Sequence, residues 1–127
     1  MFRDSAAYAG FSTSDIAEAK RFYGETLGLD VSEANGMLTL HFANGGSTLI
    51  YPKDDHQPAT FTVLNLPVPD VDAAVDALIA AGVAIEHYPD SGQDERGVMR
   101  QWGPPIAWFK DPAGNILSVI GSSESEG

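Results

Sequence analysis

The sequence contains no cysteine, which excludes disulfide staples, thiolate catalysis and zinc–sulfur sites. Cations are scarce: seven Lys and Arg stand against eighteen Asp and Glu, a formal charge of −11. Nucleic acid and anionic membranes both demand basic patches, so neither is an expected partner. The acidity reads instead as a solvated, solubilising surface. No apolar run approaches the length of a membrane span. No apolar stretch of signal-peptide type follows Met1-Phe2-Arg3-Asp4, so a cytoplasmic location is expected. The tail from Gly121 to Gly127 has no apolar residue and is expected to be disordered.

What is present suffices for one domain. A chain of 127 residues can bury about two thirds of its unfolded surface, and an apolar fraction of 43% is ordinary for a globular protein. Helix signals occur twice. Asp15 can cap backbone N–H groups, Glu18 completes a capping box, and Ile16, Ala19, Tyr23 and Leu27 recur at helical spacing before Gly28. The second set starts at Asp70, continues through Val71, Ala74, Leu78 and Ala81, and stops at Gly82. The two sets are offset by 55 positions, and the preceding runs match too, Tyr8–Phe11 over Val63–Leu66. Three strand-like runs follow each helix: Leu29–Ala34, Met37–Phe42 and Ser47–Tyr51, then Ala84–Tyr88, Ile106–Lys110 and Asn115–Ile120. Asn35-Gly36 reads as a hairpin turn, Asn44-Gly45-Gly46 as a longer glycine turn, and Asp111-Pro112-Ala113-Gly114 as the last turn. Each unit therefore reads β-α-β-β-β, over about 6–51 and 60–120, within a single α+β domain. Pro52–Ala59 reads as the linker between them.

Three stretches are more specific than this pattern. Asp15-Ile16 followed by Arg21–Leu29, the run Val68–Ala74, and Trp108–Leu117 resemble the first helix, second helix start and last hairpin of the vicinal oxygen chelate superfamily. That superfamily includes glyoxalase I, extradiol dioxygenases, fosfomycin-modifying enzymes and bleomycin-binding resistance proteins. The resemblance runs from about Tyr8 to Ile120 and implies two βαβββ modules forming a cup-shaped mixed sheet with helices outside. It also implies four inward-pointing ligand positions on the first and last strand of each module. Carried over, these fall on Tyr8, Val63, Ser118 and, within one residue, Ile50. Val63 and Ile50 cannot ligate, and neutral Tyr8 and Ser118 are poor ligands. No metal and no other cofactor is therefore expected. The family habit of dimerising implies a homodimer.

Strand alternation suggests what lines such a cup. Tyr8, Gly10 and Ser12 share one face, as do Phe61, Val63 and Asn65, and Ile116, Ser118 and Ile120. His41 alternates with Thr39 and Met37, opposite Leu38, Leu40 and Phe42, so it is expected on the cup face. Trp108 is expected there too. His56, in the polar linker, reads as a solvated surface residue, and His87 lies beside Glu86. The connection Pro89–Pro105 is long enough to suggest function. Its Arg96 and Arg100 can neutralise an anionic ligand and Trp102 can cover it, or both Arg can pair with surface acids such as Asp94 and Glu95.

The expected ligand-binding set is thus Tyr8, His41, Phe61, Val63, Arg96, Arg100, Trp102, Trp108 and Ser118. A binder of a small organic molecule comes first among the readings. A metal-independent lyase or isomerase, with His41, Tyr8 and Arg100 as acid–base candidates, comes second. A metal-dependent glyoxalase or dioxygenase comes third.

Overall fold

Both helices begin at the caps read from the sequence. In the computed structural model, which describes residues 1–122, Asp15 and Asp70 sit in extended backbone. Each carboxylate accepts a backbone N–H three residues on, from Glu18 at 3.0 Å and from Ala73 at 3.1 Å. The reciprocal half of the first capping box is replaced: the Asp15 N–H donates to Thr13 Oγ1 at 3.4 Å.

The chain divides into two units, Met1–Pro58 and Ala59 onward. In the first, β1 (Ala9–Thr13) leads to α1 (Ile16–Arg21), then β2 (Asp30–Ala34), β3 (Met37–His41) and β4 (Ser47–Pro52). The sheet order is β1-β4-β3-β2, with β1 parallel to β4 and the other pairs antiparallel. The helix expected to run regularly to Leu27 changes at Phe22 into a π turn over Phe22–Thr26, closed by Leu27 N–H donating to the Phe22 carbonyl at 2.9 Å. Asn35 and Gly36 both take positive φ, 56° and 75°, as a tight turn between β2 and β3 requires. Phe11, Thr13, Leu38, Leu40, Thr48 and Ile50 alternate onto the buried face of the sheet, with Ala19, Phe22 and Tyr23 from the helix. Tyr23 lies 5.3 Å from Phe22, edge to face, and 6.1 Å from Phe11. Each such fully buried apolar side chain contributes about 1.5–3 kcal/mol.

The second unit contains β5 (Thr62–Val68), α2 (Val71–Ala80), β6 (Ile106–Lys110) and β7 (Ile116–Gly121). Its sheet is β5-β7-β6, with β5 parallel to β7 and β6 antiparallel to it. The strand expected at Ala84–Tyr88 is not formed. Only Ile85 bridges Phe109, and Glu86 N–H donates to the Trp108 carbonyl at 2.8 Å. The rest of that β6 edge is taken by Met99, which exchanges two backbone hydrogen bonds with Ile106. The fourth strand is thus replaced by residues from two separate stretches of chain. Val71, Val75 and Leu78 of α2 are buried, as are Ala107 and Phe109 of β6 and Leu117 and Val119 of β7. Val75 was not in the expected stripe, whereas Ala81 was and is exposed.

The two units are the small mixed sheets, each with one main helix, of an α+β chain. The tail expectation fails at its start: Gly121 ends β7, and Ser122 N–H donates to the Val68 carbonyl at 2.9 Å. Residues 123–127 lie outside the described residues. The linker is also more ordered than its composition suggests, since Pro52 ends β4 and Lys53 N–H donates to the Thr13 carbonyl at 3.0 Å. Among the described residues no helix is long and apolar enough to cross a membrane.

Candidate functional site

Each sheet has one face packed against its helix and one turned away from it. On β6 and β7 the buried residues Ala107, Phe109, Leu117 and Val119 take one phase, so Trp108 and Ser118, which pair in register, take the other. Ser118 is fully buried and donates to Asn65 Oδ1 at 2.6 Å. The Trp108 indole N–H donates to Thr62 Oγ1 at 3.2 Å. Tyr88 stands edge-on to the indole, with ring centroids 5.8 Å apart. Burial, and secondarily the charge of Glu86, pushes the Tyr88 phenol above its ordinary value of 10.0, so it stays a neutral donor at physiological pH. The face therefore gathers an indole, a phenol, a carboxamide and two hydroxyls.

Thr62 was missed in the sequence because β5 is not regular. Between Thr62 and Leu64 the strand advances two residues while β7 advances one, from Ile116 to Leu117. Val63 is the extra residue of this bulge. The bulge reverses the alternation, so Thr62 aligns with Ile116, and the shared face expected for Phe61, Val63 and Asn65 is corrected. Phe61 precedes the strand and is 67% exposed.

In the first unit, His41 does lie in phase with Thr39 and Met37, away from buried Leu38 and Leu40. It is exposed, and its Nε2 lies 2.8 Å from Ser32 Oγ. Tyr8 precedes β1 and is 64% exposed. Ile50 is fully buried opposite Leu38, so the face turned away from the helix carries Leu49 and Tyr51 instead. His56 is not a free surface residue. Its Nδ1 lies 2.6 Å from Ser12 Oγ, and its backbone N–H donates to the Lys53 carbonyl at 3.1 Å.

The long connection is ordered and tied to α2. Gln93 staples it: its amide donates to the Glu86 and Gly97 carbonyls, and its oxygen accepts from Tyr88 N–H and Ser91 Oγ. Arg96 reaches Asp76 at 2.6 Å, and Arg100 reaches Asp72 at 2.8 Å and Asp94 at 3.3 Å. Pairing with surface acids is therefore the outcome for both Arg, and neither is directed at Trp108. Trp102 is 80% exposed. Of the expected set, the structure brings Trp108 and Ser118 onto one face; it pairs Arg96 and Arg100 elsewhere and leaves Tyr8, Phe61 and Trp102 at the surface. Among the described residues, no three His, Asp or Glu side chains gather as a metal site.

The last hairpin owes its signature to structure. Asp111 Oδ1 accepts the N–H groups of Ala113 and Asn115, and Asn115 Nδ2 donates to Asp111 Oδ2 at 3.0 Å, which fixes the turn from within.

The sequence matches the family profile described as "Glyoxalase/Bleomycin resistance protein/Dioxygenase superfamily" over residues 5–119. The chain belongs to this superfamily. Among solved structures it is similar to a glyoxalase family protein from Enterococcus faecalis, at 21% identity and a TM-score of 0.69 over 94% of this chain and 99% of that one. It is similar to a lactoylglutathione lyase from Agrobacterium tumefaciens, at 17% identity and 0.68 over 94% and 96%. It is also similar to an antibiotic binding protein from Streptomyces sp. CB03234, at 26% identity and 0.67 over 92% and 96%. The first two likenesses establish the glyoxalase-like fold and nothing finer. No curated protein matches the sequence.

Proposed function

We propose that the protein binds a small, partly aromatic organic molecule without a metal or other cofactor, on the face of the second sheet that carries Trp108. The observation that carries this reading is the cluster of Thr62, Asn65, Tyr88, Trp108 and Ser118. It offers ring surfaces and neutral hydrogen-bonding groups, and none of the five is ionised at physiological pH. Stacking on the indole and phenol supplies about 0.5–1.5 kcal/mol per ring pair beyond the area buried. The resemblance carries two of the family's ligand positions onto Ser118 and Val63, and neither residue type supplies an imidazole or carboxylate to a metal. The antibiotic binding neighbour supports a sequestering rather than a catalytic role.

The test is tryptophan emission during titration with a panel of planar aromatic antibiotics, followed by mass spectrometry of the recovered compound. A hit is expected to quench wild type and Trp102→Phe, to bind Trp108→Ala at least about tenfold more weakly, and to be recovered unchanged. Tight binding that survives Trp108→Ala overturns the site. Metal-dependent consumption of the compound overturns the metal-free reading.

One observation favours the acid–base alternative. The hydrogen bond between Ser12 and His56 is the better nucleophile–base geometry of the first unit, ahead of exposed His41. Metal-free turnover lost in His56→Gln and retained in His41→Gln is its signature. A cytoplasmic homodimer completes the proposal. Each unit leaves rings exposed that a second copy could cover, Phe2 and Tyr8 in the first and Phe61 and Trp102 in the second. Light scattering that gives a monomer mass overturns the dimer.

A further inference from the structure

We propose that the first unit carries a separate binding site for a small zwitterion with an apolar body, an apolar α-amino acid, in the groove between α1 and β2. The groove measures about 740 Å³ and lies wholly within this unit. Ile16, Ala17, Leu29 and Val31 give it apolar walls. Gly24 keeps it open: a Cβ there would meet Val31 Cγ2 at 3.7 Å, an ordinary contact, so the position accepts a side chain and the groove would lose that space.

Four charged side chains line the groove, and they are not equivalent. Lys20 and Glu33 neutralise one another at 2.9 Å. Arg21 and Glu25 also line it, four residues apart on one helix, yet among the described residues neither makes an ion pair or side-chain hydrogen bond. Two features explain why they stay apart. Arg before Glu is the weaker order for such a pair. The π turn starting at Phe22 inserts a wider turn between them and offsets their alignment. The groove thus presents one free cation and one free anion beside an apolar surface, with no net charge.

That pattern selects its occupant. A simple carboxylate would satisfy Arg21 but place a second negative charge near Glu25, on a chain of formal charge −11. A simple amine would satisfy Glu25 and leave Arg21 unmatched. An α-amino acid carries both charges on one carbon: its carboxylate takes the Arg21 fork, its ammonium takes Glu25, and its side chain lies on Ile16 and Val31.

L-Phenylalanine is the probe, with amide chemical-shift mapping on the full chain. Saturable shifts are expected in α1, the π turn and β2. Two single-charge analogues, 3-phenylpropionate and phenethylamine, are expected to bind at least about tenfold more weakly, because each lacks one charge-assisted contact. Arg21→Gln and Glu25→Gln are expected to lose binding to the same extent with unchanged thermal midpoints, since both side chains are exposed and unpaired. Gly24→Ala is expected to weaken binding without lowering the midpoint. No shift in these elements, or a single-charge analogue or charge variant that binds as well as the parent pair, overturns the proposal.

Discussion

The two units start from one sequence pattern and finish differently. In the first, the chain after the helix turns back through Asn35-Gly36 within a few residues, and three hairpin-linked strands complete a four-stranded sheet. In the second, the chain after α2 makes a single bridge at Ile85 and then leaves through a long connection. Its sheet keeps three strands, and the β6 edge is satisfied by Ile85, Glu86 and Met99. The sheet core survives because Phe109, Leu117 and Val119 need only one covered face. The edge hydrogen bonds survive because any extended residue can supply them. A repeat in sequence therefore fixes the packing face of a module more firmly than the number of its strands.

The sharpest test of that contrast is in the cores. Phe109→Ala is expected to cost about 3–5 kcal/mol, and Leu40→Ala in the first sheet about 2–5 kcal/mol, by chemical denaturation. Both positions are fully buried, so a loss below about 1 kcal/mol at either would contradict its place in the core. Glycines come next. At Gly97, where φ is +90°, a Cβ would sit 2.7 Å from Ile85 Cγ2. Gly97→Ala is expected to cost about 1–3 kcal/mol and to disturb the edge the connection builds. Gly24→Ala, in the helical part of the first unit, is expected to be neutral or to stabilise by up to about 1 kcal/mol.

The caps are where the units should behave alike. Asp15→Ala and Asp70→Ala are each expected to cost about 1 kcal/mol, since both carboxylates make the same bond. Thermal midpoints that separate the two widely would show that the repeat does not extend to its helix starts.

The smallest effect is expected in the connection. Backbone N–H donation from Val98 leads the causes that hold the Asp94 carboxyl below its ordinary value of 3.8, with Arg96 N–H and the Arg100 side chain adding to it. A depressed pKa contributes stability that is complete above the unfolded value and is lost as pH falls below it. The protection of the Val98 amide, its exchange rate relative to the intrinsic rate at each pH, is therefore expected to hold from neutrality to about pH 4 and to fall as the pH drops below about 3.8. The Arg96 and Arg100 pairs are exposed, so salt should loosen them first. A protection at Val98, relative to the intrinsic rate, that ignores both pH and salt would remove the tether.

Much of the fold was legible in the sequence because it depends on local chemistry. Asp15 and Asp70 announce their helices, Asn35-Gly36 announces a hairpin, and alternation places Leu38, Leu40 and His41 on their proper faces. The site was legible only in part. Trp108 and Ser118 fall on one face because β6 and β7 are regular. Thr62 was hidden by the bulge at Val63, and Ser12–His56 by residues 44 positions apart whose meeting no local rule encodes.

The sequence by itself determined the two helix starts, the tight turns, the buried phase of most strands and the family, because caps, turns and alternation act over a few residues. Only the tertiary structure decided where Arg96 and Arg100 go, which stretches close the β6 edge, and that Phe22–Thr26 forms a π turn rather than continuing the α-helix. Those choices depend on partners far along the chain, where several pairings of similar energy compete and packing selects one.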